Sequence, residues 1–261
     1  MYGIDLSGKV ALVAGVANKW SIAWAVARAL HDAGAQLVLP YLSDRERGGI
    51  EKLLIGEGIS DVVLPPTACN VGDDDQIREL FEFVGDELER VDYFAHCIAF
   101  APRDALQGSY SATSREAFRI ALDISAYSLV TMTHAASSLM VDGGSVVTMS
   151  YMASEKVFPS YNVMGTAKAA LEHAVRQLAA ELGVKGIRVN ALSPGPISTV
   201  SARGVKGFGD FLDAYEKRAP MKRNVTQEEV GSAALFLLSG MSSGITGEVI
   251  HVDAGYNIMG T

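Results

Sequence analysis

Seven short apolar runs recur along the chain, each followed by a longer segment: KVALVAG (9–15), QLVLPY (36–41), DVVLPP (61–66), VDYFAHCIA (91–99), GSVVTMS (144–150), IRVNALS (187–193) and GEVIHVD (247–253). Runs that stay apolar without strict alternation are strands buried on both faces. Such strands need helices above and below them. The intervening segments supply these at 21–33, ended by Gly34, at 73–88, 114–140 and 161–182, and at 226–239, whose first turn holds Gln227, Glu228 and Glu229. The DDD run at 73–75 is read as a helix N-terminus. The pattern predicts an α/β fold, a single-domain Rossmann-type, doubly wound parallel sheet of about seven strands with helices on both faces. No repeat, low-complexity tract or Pro/Gly/Ser-rich linker divides residues 1–261. One long irregular stretch, 194–209, is expected to belong to a substrate-covering lid around 194–220.

A hydrophobic content of 49% over 261 residues is ample for the core this fold needs. The formal net charge of -8 and the absence of clustered Lys and Arg argue against nucleic acid as a partner. Cys69 and Cys97 lack CxxC or Cys/His spacing, so free thiols in a reducing compartment are expected, with no metal site. No charged-then-apolar leader opens the chain, and no apolar run approaches the roughly 20 residues of a membrane helix. A cytoplasmic protein is expected.

Directly after the first strand comes GVANKWSIA (15–23). Gly15 permits a sharp turn, and the free amides of the helix start near Ser21 and Ile22 can hold a pyrophosphate. Only the first glycine of G-x-G-x-x-G is kept, so the motif is weak alone and gains force from its place at a strand end. After the second strand, where an acid commonly holds the adenosine ribose, stand Tyr41, Leu42, Ser43, Asp44 and Arg45. Without a basic pair for a 2'-phosphate, NADH is favoured over NADPH; Arg45 keeps NADPH as the alternative.

The stretch YNVMGTAK (161–168) sets Tyr161 seven positions before Lys168, with Met164 where a Tyr-x-x-x-Lys pair would carry its phenol. On a continuous helix all three share one stripe, and the phenol starts about 10 Å of rise from the lysine instead of about 6 Å. Ketone reduction develops charge on the oxygen of the carbon that accepts hydride. Reduction of an α,β-unsaturated thioester places hydride on the β-carbon and charge on an oxygen three atoms away, which a phenol set back by a turn suits. Lys168 would hydrogen-bond a nicotinamide ribose and, by its charge, favour the phenol's proton release and hydrogen bonding. Upstream, SYM (150–152) brings a second phenol, Tyr151, to the same edge of the sheet.

These segments, with CIAFAP (97–102), DISAYS (123–128), SYMASEKVFPSYNVMGTAK (150–168), RVNALSPGPIST (188–199) and GITGEVIHVDAGY (244–256), make the chain resemble the bacterial enoyl-acyl-carrier-protein reductases, a divergent branch of the short-chain dehydrogenase/reductase superfamily. The likeness runs from about Leu6 to Tyr256. It implies NADH-dependent reduction of trans-2-enoyl thioesters in fatty-acid elongation, an acyl carrier protein as partner and a homotetramer. Tyr161 resembles the phenol on the thioester carbonyl, Lys168 the ribose-binding lysine and Tyr151 the second active-site tyrosine. Gly15, Ser21 and Ile22 match the pyrophosphate turn, Leu42, Asn70 and Val71 the adenosine side, and Ile98 a cofactor contact. Ile197, Ser198, Thr199, Val200 and Ser201 match the loop over nicotinamide and phosphates, and Ala101 a substrate-facing position. Three residues depart from the family pattern: Asn70 stands for a usual aspartate, Leu42 for a polar residue and Ala99 for a glycine.

Met149, Met152 and Met164 surround the tyrosines and suit an acyl pocket or plain core packing. Phe208, in the expected lid, is a pocket candidate. Arg203 and Lys206 could steer an acidic carrier. His96 is read as a neutral imidazole packed at a strand end, and His134 and His173 as surface or interface residues. The alternatives are a carbonyl reductase or alcohol dehydrogenase of the same superfamily, opposed by Met164, and a dinucleotide-binding sensor without turnover, which has no need of both tyrosines and the lysine.

Overall fold

The computed structural model describes residues 3–199 and 208–260. Strands β1 (Val10–Ala14), β2 (Gln36–Val38), β3 (Val62–Val63), β4 (Tyr93–His96), β5 (Gly144–Met149), β6 (Ile187–Pro194) and β7 (Val249–Val252) form one sheet in the order β3-β2-β1-β4-β5-β6-β7. Every pairing is parallel, so all carboxyl ends lie along one edge. The chain winds outward from β1 in one direction through β2 and β3, and from β4 to β7 in the other. The reversal falls between β1 and β4.

Residues of β1 show why the strands read as continuous apolar runs. Val10, Leu12 and Ala14 enter the core on one face with α3 (Asp74–Leu88), α5 (Ser128–Leu139) and α6 (Val163–Leu182). Ala11 and Val13 enter the core on the other, with α1 (Ile22–Asp32), α2 (Asp44–Glu57) and α8 (Gln227–Leu238). On α6, Leu171, Val175, Leu178 and Leu182 face the sheet, each contributing about 1.5–3 kcal/mol by burial.

Helix ends follow the capping residues. Ser21 caps α1, accepting from the Trp24 amide, and Asp73 caps α3, accepting from the amides of Asp75 and Gln76. Thr226 and Glu229 form a reciprocal capping box on α8. Helix α2 has no counterpart in the segments read from spacing: Gly48 and Gly49 weaken its pattern, and Ile50 and Leu54 alone are buried. The 114–140 segment is α4 (Arg115–Leu122) and α5 joined through a π-turn at Asp123–Tyr127. The stretch after β6 is not irregular throughout, because α7 (Phe208–Arg218) begins at Phe208. No helix among the described residues is long and apolar enough to cross a membrane.

At the amino edge of the sheet, Asp92 ties β1 to β4. Its buried carboxylate accepts from the Val10 amide at 2.9 Å, from Lys9 at 3.0 Å and from Arg90 at 2.5 Å. Burial opposes its charge, but the bonds from Arg90, Val10 and Lys9 outweigh that and hold the carboxyl below its ordinary value of 3.8. A lowered folded-state pKa stabilises above 3.8 and is lost as pH falls through the folded value. Asp92→Ala should therefore cost about 2 kcal/mol at neutral pH, after solvent screening at Lys9 and Arg90. Urea unfolding should show the difference between wild type and variant shrinking in acid; a constant gap would mean that packing, and not charge, is lost.

Candidate functional site

At the β1–β4 reversal the chain leaves β1 through Gly15, whose φ is +100°. A Cβ there would lie 2.3 Å from the Cys97 carbonyl oxygen, on the segment leaving β4. Only glycine permits that approach, which opens a floor of bare backbone at the carboxyl edge. Ser21 then starts α1, its hydroxyl donating to the Asn18 carbonyl at 2.7 Å. The α1 amides from Ile22 onward begin the helix, where an anion is favoured.

On the adenosine side, Leu42 is 56% exposed and gives its amide to Glu46. Arg45 lies exposed in the first turn of α2, whereas Arg47 is held by Glu51 and Tyr41. The Asn70 amide oxygen accepts from the Gly72 amide at 3.1 Å, so a local turn sets the orientation of this side chain. Val71 and Ile98 are half-buried against the α3–α5–α6 side of the core. Beyond β6, Ile197 packs on the opposite core, and the Thr199 amide closes a tight turn on the Ile197 carbonyl. Ser198 follows the same exit. Val200, Ser201, Arg203 and Lys206 lie outside the described residues, as does the Phe208 side chain.

Two tyrosines meet at the end of β5. The Ser150 amide adds a last rung to the Leu192 carbonyl, and Tyr151 follows. Its ring centroid is 5.0 Å from that of Tyr161 and 5.0 Å from that of Phe158, and its hydroxyl accepts from Tyr215 at 3.4 Å. Tyr215 stacks on Tyr256 at 3.7 Å. Beside this aromatic wall opens a crevice of about 550 Å³ whose lining includes Met152, Lys156, Phe158, Phe211, Arg218 and Tyr256.

Tyr161 is not on the helix that spacing predicts. α6 starts at Val163; Ser160 has φ +64°, and Asn162 has φ +40° with ψ -122°. The Met164 amide closes on the Tyr161 carbonyl at 3.0 Å. This resembles a type II′ turn with asparagine where glycine is usual. A bent, strained turn, and not seven residues of helical rise, therefore sets the distance from phenol to lysine.

Tyr161 packs on a small cluster that contains Ala101, Ala105, Val163 and Met164. Met164 receives the Ser125 hydroxyl on its sulfur at 3.8 Å. The same hydroxyl accepts from the Phe100 amide and reaches the Phe100 carbonyl, pinning the segment that carries Ala101. DISAYS thus has a job that its residue types alone do not disclose. Burial, with a smaller contribution from Tyr151, pushes the Tyr161 phenol up, and burial takes Tyr151 to about 12 against the opposing bond from Tyr215. Desolvation dominates, and the resting phenol is neutral, a hydrogen-bond donor.

Lys168, 4% exposed, donates to the Met149 carbonyl at 2.6 Å. Burial lowers it to about 8, opposed by Cys97 and Glu172. Burial raises the Cys97 thiol to about 12 and Cys69 to about 11. Both cysteines are free thiols. His96 is fully buried between Thr148 and Ser128 and pulled down to about 3 by burial, hence neutral. His134 and His173 are exposed on their helices.

The family model described as "Enoyl-(Acyl carrier protein) reductase" matches residues 15–257. A Nostoc sp. protein named as an NADH enoyl-acyl-carrier-protein reductase is 51% identical, covering 98% of this chain and 99% of its own. A Staphylococcus aureus protein named as an NADPH enoyl-acyl-carrier-protein reductase is 47% identical, covering 97% and 98%. The crystal structure of the Bacillus cereus enoyl-acyl carrier protein reductase with NADP+ and indole naphthyridinone superimposes with a TM-score of 0.95 at 45% identity, covering 98% of this chain and all of that one. The chain belongs to the enoyl-acyl-carrier-protein reductase family.

Proposed function

We propose that the chain reduces the double bond of trans-2-enoyl thioesters carried on acyl carrier protein, using NADH, with Tyr161 as the donor to the thioester carbonyl. The observation that supports this most is a neutral, partly buried phenol packed on an apolar cluster with Ala101 and Met164, at the sheet edge where Lys168 is held. The Gly15 cradle, which a Cβ would fill, suits a pyrophosphate, and Ser21, Ile22, Ile98 and Lys168 are the residues that would hold the dinucleotide. Leu42, Asn70 and Val71 would flank its adenosine. Bound NADH supplies a hydride to the β-carbon.

The protein's own part is positioning and charge stabilisation. Tyr161 donates its hydrogen bond to the oxygen on which negative charge grows, an effect strengthened by exclusion of water. Lys168 keeps one N–H on the Met149 carbonyl and has others for the ribose. Met164, Ala101 and the aromatic wall around Tyr151 line the acyl path. Residues 194–220, with the loop through Ile197, Ser198, Thr199, Val200 and Ser201 and with Phe208, would cover the site. Arg203 and Lys206 would meet the acidic carrier.

NADPH is the weaker alternative, resting on Arg45. A homotetramer in the cytoplasm is the assembly proposed, because β7 lies half-exposed at the sheet edge and Phe118 and Tyr127 present exposed rings on the α4–α5 segment.

Loss of NADH absorbance with a trans-2-enoyl thioester tests the reading, with a simple ketone and NADPH as parallel substrates; turnover of the ketone alone would overturn it. Tyr161→Phe should lower kcat on the order of 10²-fold, the usual effect of losing one such donor, with NADH affinity little changed; equal turnover would remove Tyr161 from the mechanism. Lys168→Ala should weaken NADH binding about tenfold or more, as expected for a charged hydrogen bond, readable by fluorescence titration; an unaltered dissociation constant would count against the assignment. Gly15→Ala should abolish NADH binding, since its methyl meets the Cys97 carbonyl; binding at wild-type strength would place the dinucleotide elsewhere.

A further inference from the structure

Glu172 stands one helical turn beyond Lys168 on α6 and is only 6% exposed. Burying an isolated carboxylate costs several kcal/mol unless a cation and hydrogen bonds offset it. Its Oε1 accepts from the Ser150 hydroxyl at 2.5 Å, while Lys168 donates to the carbonyl of Met149, the preceding residue. Two side chains of α6, one turn apart, thus hold successive residues at the end of β5, and Tyr151 is the next residue.

The two do not form a contact ion pair, and the surroundings leave Glu172 to act on the Lys168 charge across one helical turn. From β4, His96 is neutral and Cys97 is a thiol; Tyr151 and Tyr161 carry protonated hydroxyls. From β6, Arg188 is committed to the carbonyls that end α8. From α4 and the π-turn, Glu116, Arg119 and Asp123 pair with one another, and Arg115, Arg103, Asp104, His134, Glu155 and Lys185 are exposed. Among the described residues packed on this part of α6, Glu172 is the buried anion beside the one buried ammonium. It acts in the direction that raises the Lys168 pKa, against the burial that lowers it to about 8.

We propose that Glu172 is a positioning residue for the reduction: its buried carboxylate keeps the Lys168 ammonium charged for the nicotinamide ribose and, through Ser150, holds the strand end from which Tyr151 leaves. The proposal rests on the reading of Lys168 as the ribose ligand. Loss of the carboxylate charge moves Lys168 into the working pH range, so that NADH binding fails at a lower pH than in the wild type.

NADH dissociation constants measured against pH test this. In the wild type, affinity falls as pH rises through the Lys168 pKa, and in Lys168→Arg, which stays charged, that fall disappears. If Lys168→Arg keeps the fall, the ribose reading is wrong and the proposal goes with it. Glu172→Gln retains an oxygen to accept from Ser150 but no charge. Its alkaline limb should move to lower pH, by up to about one unit for an opposite charge that is near but not in contact, while affinity on the acid side stays within about threefold; Glu172→Asp should restore the limb in part. A limb at the wild-type pH in Glu172→Gln, with Lys168→Arg behaving as expected, overturns the role of Glu172 alone. Should the glutamine variant not fold, Lys168→Met reads the same pairing from the other side. It leaves a buried carboxylate without a cation, so its stability deficit against wild type should be larger at neutral pH than in acid. A deficit that does not vary with pH rejects the pairing.

Discussion

A charged ammonium held under the carboxyl edge of a sheet is the interaction on which this site depends. Lys168 is almost wholly excluded from water, a placement that favours the neutral amine unless nearby groups offset the loss of hydration. The Met149 carbonyl, at 2.6 Å, and the Glu172 carboxylate do so. In return the lysine is rigid, because its stem is packed and its head is tied to a strand end that is itself bonded to β6. A flexible surface lysine could carry the same charge but not the same aim.

The parallel sheet explains why so few residues suffice. With every strand pointing one way, the exits of β1, β4, β5 and β6 meet along one edge, and the contact between Gly15 and the Cys97 carbonyl brings the first two together. The Gly15 turn, the segment through Ala101 and both tyrosines therefore lie along the same edge although they are far apart in the chain. Ser125 does for the β4 exit what Lys168 and Glu172 do for the β5 exit. In each case a helical segment on one face of the sheet sends polar side chains to a departing loop: Ser125 to the Phe100 backbone, Lys168 to the Met149 carbonyl and Glu172 to the Ser150 hydroxyl.

The order of strands and the long helices were legible because continuous apolar runs and capping residues act locally. Thr226 with Glu229, and Asp73 before its acidic turn, announce their helices in the residue types themselves. Helix α2 was not legible: two adjacent glycines dilute its stripe, and its place is secured by burial of Ile50 and Leu54, a tertiary effect. Spacing sets Tyr161 and Lys168 on one helical stripe, but the helix assumed to connect them could not be checked from residue types, since nothing in YNVM reveals positive φ at Ser160 and Asn162. Glu172 carried one available signal, an acid four residues after the lysine, which on an exposed helix would be an ordinary solvated pair.

The state of the phenol bears on how the reaction divides its proton and its charge. Burial raises Tyr161 beyond its ordinary value, so on the proposed reading this hydroxyl keeps its proton and serves by donating a hydrogen bond. Such a donor stabilises an oxygen that becomes negative only in passing, without needing to surrender the proton and recover it. That matches conjugate reduction, in which the carbonyl oxygen carries charge transiently and the lasting proton goes to carbon. A carbonyl reductase has the opposite requirement, since its oxygen must end protonated and its acid must release a proton readily. On the proposed reading, the apolar cluster around Tyr161, which spacing alone could not reveal, favours the first chemistry alongside the displacement of the tyrosine along the chain.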